Sequence, residues 1–263
     1  MGSKLDKAIV IKLGGAILGS HDTTIEDIVA LQQQGRSLVI VHGGGKMITS
    51  WLEKRGIKTK FINGERVTDE ATLEVVVSVL VGVVNKEIVA DINARGGLAI
   101  GISGVDGGLI QGRFKNKELG FVGEVAKINP APLEALLKAG YIPVVAPIAI
   151  ADKVEKAPRV LNINADIVAG EIAVAIGAEK LVFLTDVAGV SDHSGNLLAR
   201  LSPGEAEALL AAGTASGGMI PKITACLRAL SGASTACIIV DGRQSHALLD
   251  DINGKGGGTT IKQ

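Results

Sequence analysis

Two short, almost wholly apolar runs constrain this chain more than any other feature. Ala8–Leu13 reads AIVIKL and Ser37–Val41 reads SLVIV; the first stops at Gly14-Gly15, the second at His42-Gly43-Gly44-Gly45. Continuous β-branched runs of this length suit strands covered on both faces, which is the situation in parallel sheets. Thr24–Gln34, opened by a threonine cap and closed by Gly35, has helical spacing, as does Lys46–Arg55 up to Gly56. Strand, helix, strand, helix in this order predicts an α/β fold with a mainly parallel sheet between two helical layers.

The rest of the chain keeps the alternation. Phe61–Val67 contains Asn63-Gly64, a hairpin-turn signal. Asp69–Arg95 predicts a long helix bent near Gly82, and Leu98–Ile102 a strand. Leu109–Ile128, interrupted by Gly112, Gly120 and Gly123, predicts antiparallel ribbon. Helices follow at Pro132–Ala139, Asn164–Ile176, Pro203–Ala212, Met219–Leu230 and near Ser245–Asp250. Strands are expected at Ile142–Ala146, Lys180–Thr185, Thr235–Val240 and Thr259–Ile261. No Pro/Ser-rich linker separates the halves, so one continuous sheet is expected, with a soft seam near Gly177.

Composition excludes some functions. Lys plus Arg equal Asp plus Glu at 27 each, without a basic stripe, and aromatics are 2%, so nucleic-acid binding is not expected. Cys226 and Cys237 lack CxxC spacing or a nearby His pair and read as reduced core thiols. Met1–Lys7 is short and polar, and no apolar run reaches the roughly 18 residues of a membrane span. A cytoplasmic protein without membrane attachment is the expectation.

Five segments carry chemistry. Lys12 interrupts an apolar strand just before Gly14-Gly15, and a buried ammonium needs a partner. His42-Gly43-Gly44-Gly45 joins a strand end to a helix start, where backbone N–H groups and the helix dipole suit an anion; His42 reads as orienting this loop more than as a base. In Asn162-Ile163-Asn164-Ala165-Asp166 a helix cap explains one asparagine but not all three polar groups. Gly217-Gly218 opens a helix whose first turns hold Lys222, against the dipole, which fits a lysine facing an anion. Thr185–Val190 runs from a strand end into a loop that could serve a nucleotide or be only a turn. There is no GxxxxGK[ST] loop, no GxGxxG opening a helix and no HRD or DFG set.

In order, IKLGG (Ile11–Gly15), VHGGG (Val41–Gly45), NGERVT (Asn63–Thr68), NINAD (Asn162–Asp166), LTDVAGV (Leu184–Val190) and GGMIPK (Gly217–Lys222) resemble the motifs of the amino acid kinase family, specifically its branch that phosphorylates N-acetyl-L-glutamate in arginine biosynthesis. The resemblance implies a single domain over residues 1–263, an αβα sandwich with an acceptor lobe to about residue 177 and a nucleotide lobe from about residue 178. It implies ATP carrying Mg2+, N-acetyl-L-glutamate as acceptor, and Lys12 and Lys222 on the transferring phosphoryl group with Asp166 between them. It further implies Gly44, Gly45, Arg66, Asn162 and Asn164 on the acceptor, with Arg66 gripping its α-carboxylate. Gly14, Gly15, Asp186, Val187, Gly189, Val190 and Gly218 would face the nucleotide. Arginine-inhibited members carry an extra helix before the first strand; here about seven residues precede it, which implies an arginine-insensitive homodimer, with Leu73–Val84 as a dimer face or simple core. The rival readings are a kinase acting on a carrier-linked aminoadipate or glutamate side chain, and a non-catalytic anion or nucleotide binder of the same fold.

Overall fold

Strand β1 (Ile9–Leu13) is buried along its whole length, and its side chains alternate between two cores. Ile9, Ile11 and Leu13 enter one core, whereas Val10 enters the other. Period-two alternation therefore puts Lys12 on the Val10 side of the sheet. The computed structural model describes residues 8–15, 23–62, 64–152 and 159–263. Met1–Lys7 and Asn63 of the expected hairpin turn lie outside them.

The first half continues with α1 (Thr24–Gln33), β2 (Leu38–His42), α2 (Gly45–Lys54) and the hairpin strands β3 (Phe61–Ile62) and β4 (Glu65–Arg66). Then come α3 (Glu70–Val77), a π-helical segment over Ser78–Val84 and α4 (Asn85–Ala94). The interruption sits where Gly82 predicted a bend, and it is a run of widened turns. β5 (Ala99–Ser103), β6 (Ile110–Phe114), β7 (Val122–Ile128), α5 (Ala131–Lys138), β8 (Ile142–Ala146), β9 (Ile148–Ala151) and β10 (Val160–Ile163) follow. The second half holds α6 (Ala165–Ala175), β11 (Lys180–Thr185), β12 (Arg200–Leu201), α7 (Pro203–Ala211), α8 (Met219–Leu230), β13 (Ala236–Asp241), α9 (Ala247–Ile252) and β14 (Thr259–Ile261).

Both halves share one eight-stranded sheet in the order β12-β14-β13-β11-β1-β2-β8-β5, parallel except where β13 meets β14. Helices α5, α6 and α8 lend Leu133, Val168 and Ile223 to the core on one face; α1, α2 and α4 lend Ile28, Leu52 and Ile88 to the other. The expected antiparallel ribbon is β6 against β7, and it closes with β9 and β10 into a four-stranded ring. β9, β10 and the two-residue β12 were not expected.

The expected threonine cap on α1 needs correction. Thr23 makes no cap bond to α1; its hydroxyl instead accepts the N–H of His246, tying α9 to the start of α1. Leu73, Val75, Val76, Val79, Leu80 and Val84 are core residues, so the apolar helix is mainly a packing face and leaves only Val77, Val81 and Val83 half-buried. Gly14 donates its N–H to Leu184 O at 3.0 Å. A Cβ there would stand 2.9 Å from that same oxygen, so its glycine is required by the β1–β11 contact. Cys226 and Cys237 are free and buried, as expected; burial, the largest cause, and the Cys237 thiol push the Cys226 thiol well up.

Candidate active site

Because β1, β2, β11 and β13 are parallel, their carboxyl ends open on one sheet edge, where ligands bind in α/β folds. The glycine loops after β1 and β2 meet there, since a Cβ on Gly15 would lie 3.5 Å from the Gly45 nitrogen. The N–H groups of Gly44 and Gly45, at the start of α2, donate to no backbone carbonyl among the described residues. Orphan donors of this kind belong to every helix N-terminus, and here they border a cavity.

Lys12 is 8% exposed and Asp166 5%. Lys12 Nζ stands 2.7 Å from Asp166 Oδ1, off the hydrogen-bond direction, so the contact is an ion pair without an aligned hydrogen bond. Lys222 Nζ donates to the other oxygen, Oδ2, at 3.1 Å, and to Gly218 O, also at 3.1 Å. Two ammonium groups more than 200 positions apart in the chain thus share one carboxylate. Asp166 is placed by its own helix: Asn164 caps α6 by accepting N–H groups from Asp166 at 2.8 Å and Ile167 at 3.3 Å. Lys222 is the fourth residue of α8, where its charge opposes the dipole and is compensated by Asp166.

Arg66, carried by β4, lies 8% exposed with Nη2 donating to Gly45 O at 3.1 Å and to Thr49 Oγ1 at 2.9 Å. Its guanidinium carbon sits 4.8 Å above the Phe61 ring. Burial lowers its pKa, a cost that an anionic ligand would relieve. Asn162, on β10, donates to Thr68 Oγ1 at 3.4 Å, and Thr68 donates to Arg66 O at 2.8 Å, so the ring of small strands and the hairpin are linked.

Lys12, Gly44, Gly45, Arg66, Asn162, Asn164 and Asp166 all line one cleft of about 240 Å³. Gly218 joins Asn164 and Asp166 around an adjoining cavity of about 360 Å³. Asp186, Val187, Gly189 and Val190 line neither; they follow β11 on the same sheet edge. There Asp186 and Val187 are exposed, Gly189 packs against Thr259, and Val190 N–H donates to Thr259 Oγ1 at 2.8 Å. Sequence reasoning missed the apolar wall of the main cleft, Ile48, Leu80, Val122, Pro147 and Ile163, and also Thr49 and Thr68. Thr68 was legible as part of NGERVT and Ile163 as part of NINAD; the others are ordinary apolar or hydroxyl residues until the fold gathers them.

The arrangement offers positive charge, backbone donors and one carboxylate already neutralised by lysines, which suits two anions brought together. The cleft's other carboxylate, Glu65, pairs with Lys115 Nζ at 2.6 Å. These donors suit a divalent ion that arrives on a nucleotide better than a resident one.

A family model described as the amino acid kinase family matches residues 7–241. An acetylglutamate kinase from Dehalococcoides mccartyi is 48% identical over 255 residues, covering 96% of this chain and 93% of its own length. One from Nostoc sp. is 50% identical over 253 residues, covering 94% of this chain and 84% of its own. An N-acetylglutamate synthase from Neisseria gonorrhoeae, complexed with coenzyme A and N-acetyl-glutamate, superposes with a TM-score of 0.84 at 25% identity, over 98% of this chain and 60% of that one. A carbamate kinase from Giardia lamblia bound to citric acid, at TM-score 0.70 and 16% identity over 97% of this chain and 98% of that one, shares the fold.

Proposed function

This chain belongs to the amino acid kinase family, and from that premise and its cleft we propose that it transfers the γ-phosphoryl group of ATP to the γ-carboxylate of N-acetyl-L-glutamate, giving N-acetyl-L-glutamyl 5-phosphate on the route to arginine. The observation that carries the reading is the Lys12–Asp166–Lys222 triad, with Nζ to carboxylate distances of 2.7 and 3.1 Å.

The acceptor carboxylate is ionised at neutral pH, so the cleft needs no general base. One acceptor oxygen forms a bond to phosphorus while the bond from phosphorus to the bridging oxygen of ADP breaks, and no proton moves. Catalysis is then positioning and charge stabilisation. Lys12 and Lys222 flank the transferring group, and Asp166 holds them apart and orients them. Gly15, Gly44 and Gly45 donate N–H groups to phosphate and acceptor. Arg66, tethered to α2, presents its planar fork to the acceptor α-carboxylate, while Asn162 and Asn164 border the acetylated amino acid. A divalent ion, Mg2+ on ATP, would neutralise charge on the β- and γ-phosphates.

The nucleotide belongs on the C-terminal lobe, from about residue 178, over Asp186, Val187, Gly189, Val190 and Gly218. The acceptor lobe is the preceding part of the chain. The active form is a homodimer working in the cytoplasm; light scattering at twice the monomer mass supports the first part, and the monomer mass rejects it.

Trapping the acyl phosphate as a hydroxamate tests the reaction. With ATP and Mg2+, N-acetyl-L-glutamate should give product and glutamate, aspartate and carbamate little. Preference for another acceptor, or no product, rejects the reading.

A further inference from the structure

His42 is fully buried, and the strand that carries it runs directly into Gly43-Gly44-Gly45. One ring nitrogen, Nδ1, lies 2.9 Å from the Gly43 carbonyl oxygen; the other, Nε2, lies 3.2 Å from Asn85 Nδ2. Asn85 is also fully buried and opens α4. Neighbours fix the orientation of its amide. The NH2 group faces the carbonyl oxygens of Val144 at 2.9 Å and Ile102 at 3.3 Å, whereas Oδ1 accepts from Lys86 Nζ at 3.0 Å. Carbonyls only accept and an ammonium only donates, so NH2 and oxygen cannot trade places. His42 Nδ1 faces the Gly43 carbonyl, which only accepts, so the ring hydrogen sits on Nδ1, and Nε2, which faces the Asn85 NH2, is the bare nitrogen.

Charge agrees with this assignment. Burial, the largest cause, lowers the His42 pKa to about 4; the Gly43 hydrogen bond opposes the shift, and Lys12 and Lys86 add to it. The ring is neutral at physiological pH and is a fixed connector.

The preceding π-helical segment presses on the same loop. A Cβ on Gly44 would stand 2.6 Å from Leu80 Cδ2 and 3.4 Å from Val84 Cγ2. Hydrogen bonding from i to i+5 brings residues five apart onto one face, which is how Leu80 and Asn85 reach neighbouring parts of one loop. The opposite strand is shaped to admit the amide, because a Cβ on Gly101 would overlap Asn85 Oδ1.

We infer that Asn85 is a positioning residue for phosphoryl transfer, which through the His42 ring fixes the Gly43–Gly45 loop, whose Gly44 and Gly45 N–H groups receive the anions while the Gly43 N–H is held by Leu13 O at 3.1 Å. The inference rests on the acetylglutamate kinase reading for the reaction it serves.

Nitrogen-15 spectra of the full chain test the connector directly. There are four histidines, at positions 21, 42, 193 and 246, and His42→Asn assigns the signals that vanish. His42 should be neutral with the hydrogen on Nδ1 from pH 6 to 8; an Nε2–H tautomer or an imidazolium in that range overturns the inference. Kinetics test the consequence. Asn85→Ser should lower kcat by on the order of tenfold or more, since small misplacement of reacting groups is costly. His42→Asn keeps an N–H near Gly43 O but offers Asn85 nothing, so Asn85→Ser added to it should change kcat by less than about twofold. An equal loss in both backgrounds overturns the inference. Should Asn85→Ser fail to fold, the tautomer decides alone. Absence of acetylglutamate phosphorylation in the unsubstituted chain would sink the proposed reaction and leave the tautomer result standing.

Discussion

Asp166→Asn separates catalysis from stability at the triad. The carboxylate is 5% exposed and lies 2.7 Å from Lys12 Nζ and 3.1 Å from Lys222 Nζ. The amide keeps the shape but removes the charge, and its NH2 points hydrogens at one ammonium. Breaking a buried pair costs about 3–5 kcal/mol, because the remaining charge has lost its partner. Two lysines lose theirs here, so the upper part of that range applies. For a chain of this size about 2–4 °C accompanies each kcal/mol, which predicts a fall in Tm of roughly 10 °C or more. Saturating ATP supplies the missing anions, so nucleotide should raise the variant's Tm more than the parent's. With the lysines no longer held at the phosphoryl position, kcat should fall by about 100- to 1000-fold, the loss seen when one transition-state donor is removed. Differential scanning fluorimetry with and without ATP, beside hydroxamate formation per folded molecule, measures both. A variant that melts early but keeps kcat within about threefold of the parent would show that the triad is only structural.

Arg66→Lys should mainly raise the KM for N-acetyl-L-glutamate, by about tenfold or more, because a point charge cannot hold Gly45 O, Thr49 and a carboxylate in one plane; initial rates over an acceptor titration check this, and an unchanged KM rejects it. Burial, with Asp250 adding, pushes the Asp251 carboxyl up to about 6, and its Oδ2 has no hydrogen-bond partner. The folded state therefore disfavours the charged form, so this carboxyl's contribution to stability is fully present below its unfolded pKa of about 4 and is lost as pH rises through about 6. Asp251→Asn should accordingly raise Tm at pH 7 and leave it nearly unchanged at pH 4; a lower Tm at pH 7 would count against this account of Asp251.

Much of the fold was legible because burial on both faces leaves a strong signal. Lys180–Thr185, Met219–Leu230 and Thr259–Ile261 fall where composition and glycine punctuation put them. β9 was not separable in the sequence, because β8 runs into it after a single residue, Pro147, and β10 is only four residues long. Thr23 has the right residue type for a cap, yet a tertiary partner, His246, takes its hydroxyl. At the site, lysines out of place in an apolar strand and at a helix start were visible as misfits, and the fold gives both the same carboxylate. The link from Asn85 to His42 was invisible, since a buried asparagine inside a long apolar helix looks like any polar residue until three strands close around it.

In the proposed reaction Lys222 acts on the transferring phosphoryl group. Steady-state kinetics of Lys222→Ala, with N-acetyl-L-glutamate varied at saturating ATP, tests it most directly. Loss of this ammonium should lower kcat by about 100-fold or more, with the acceptor KM within about threefold of the parent. An unchanged kcat would contradict it.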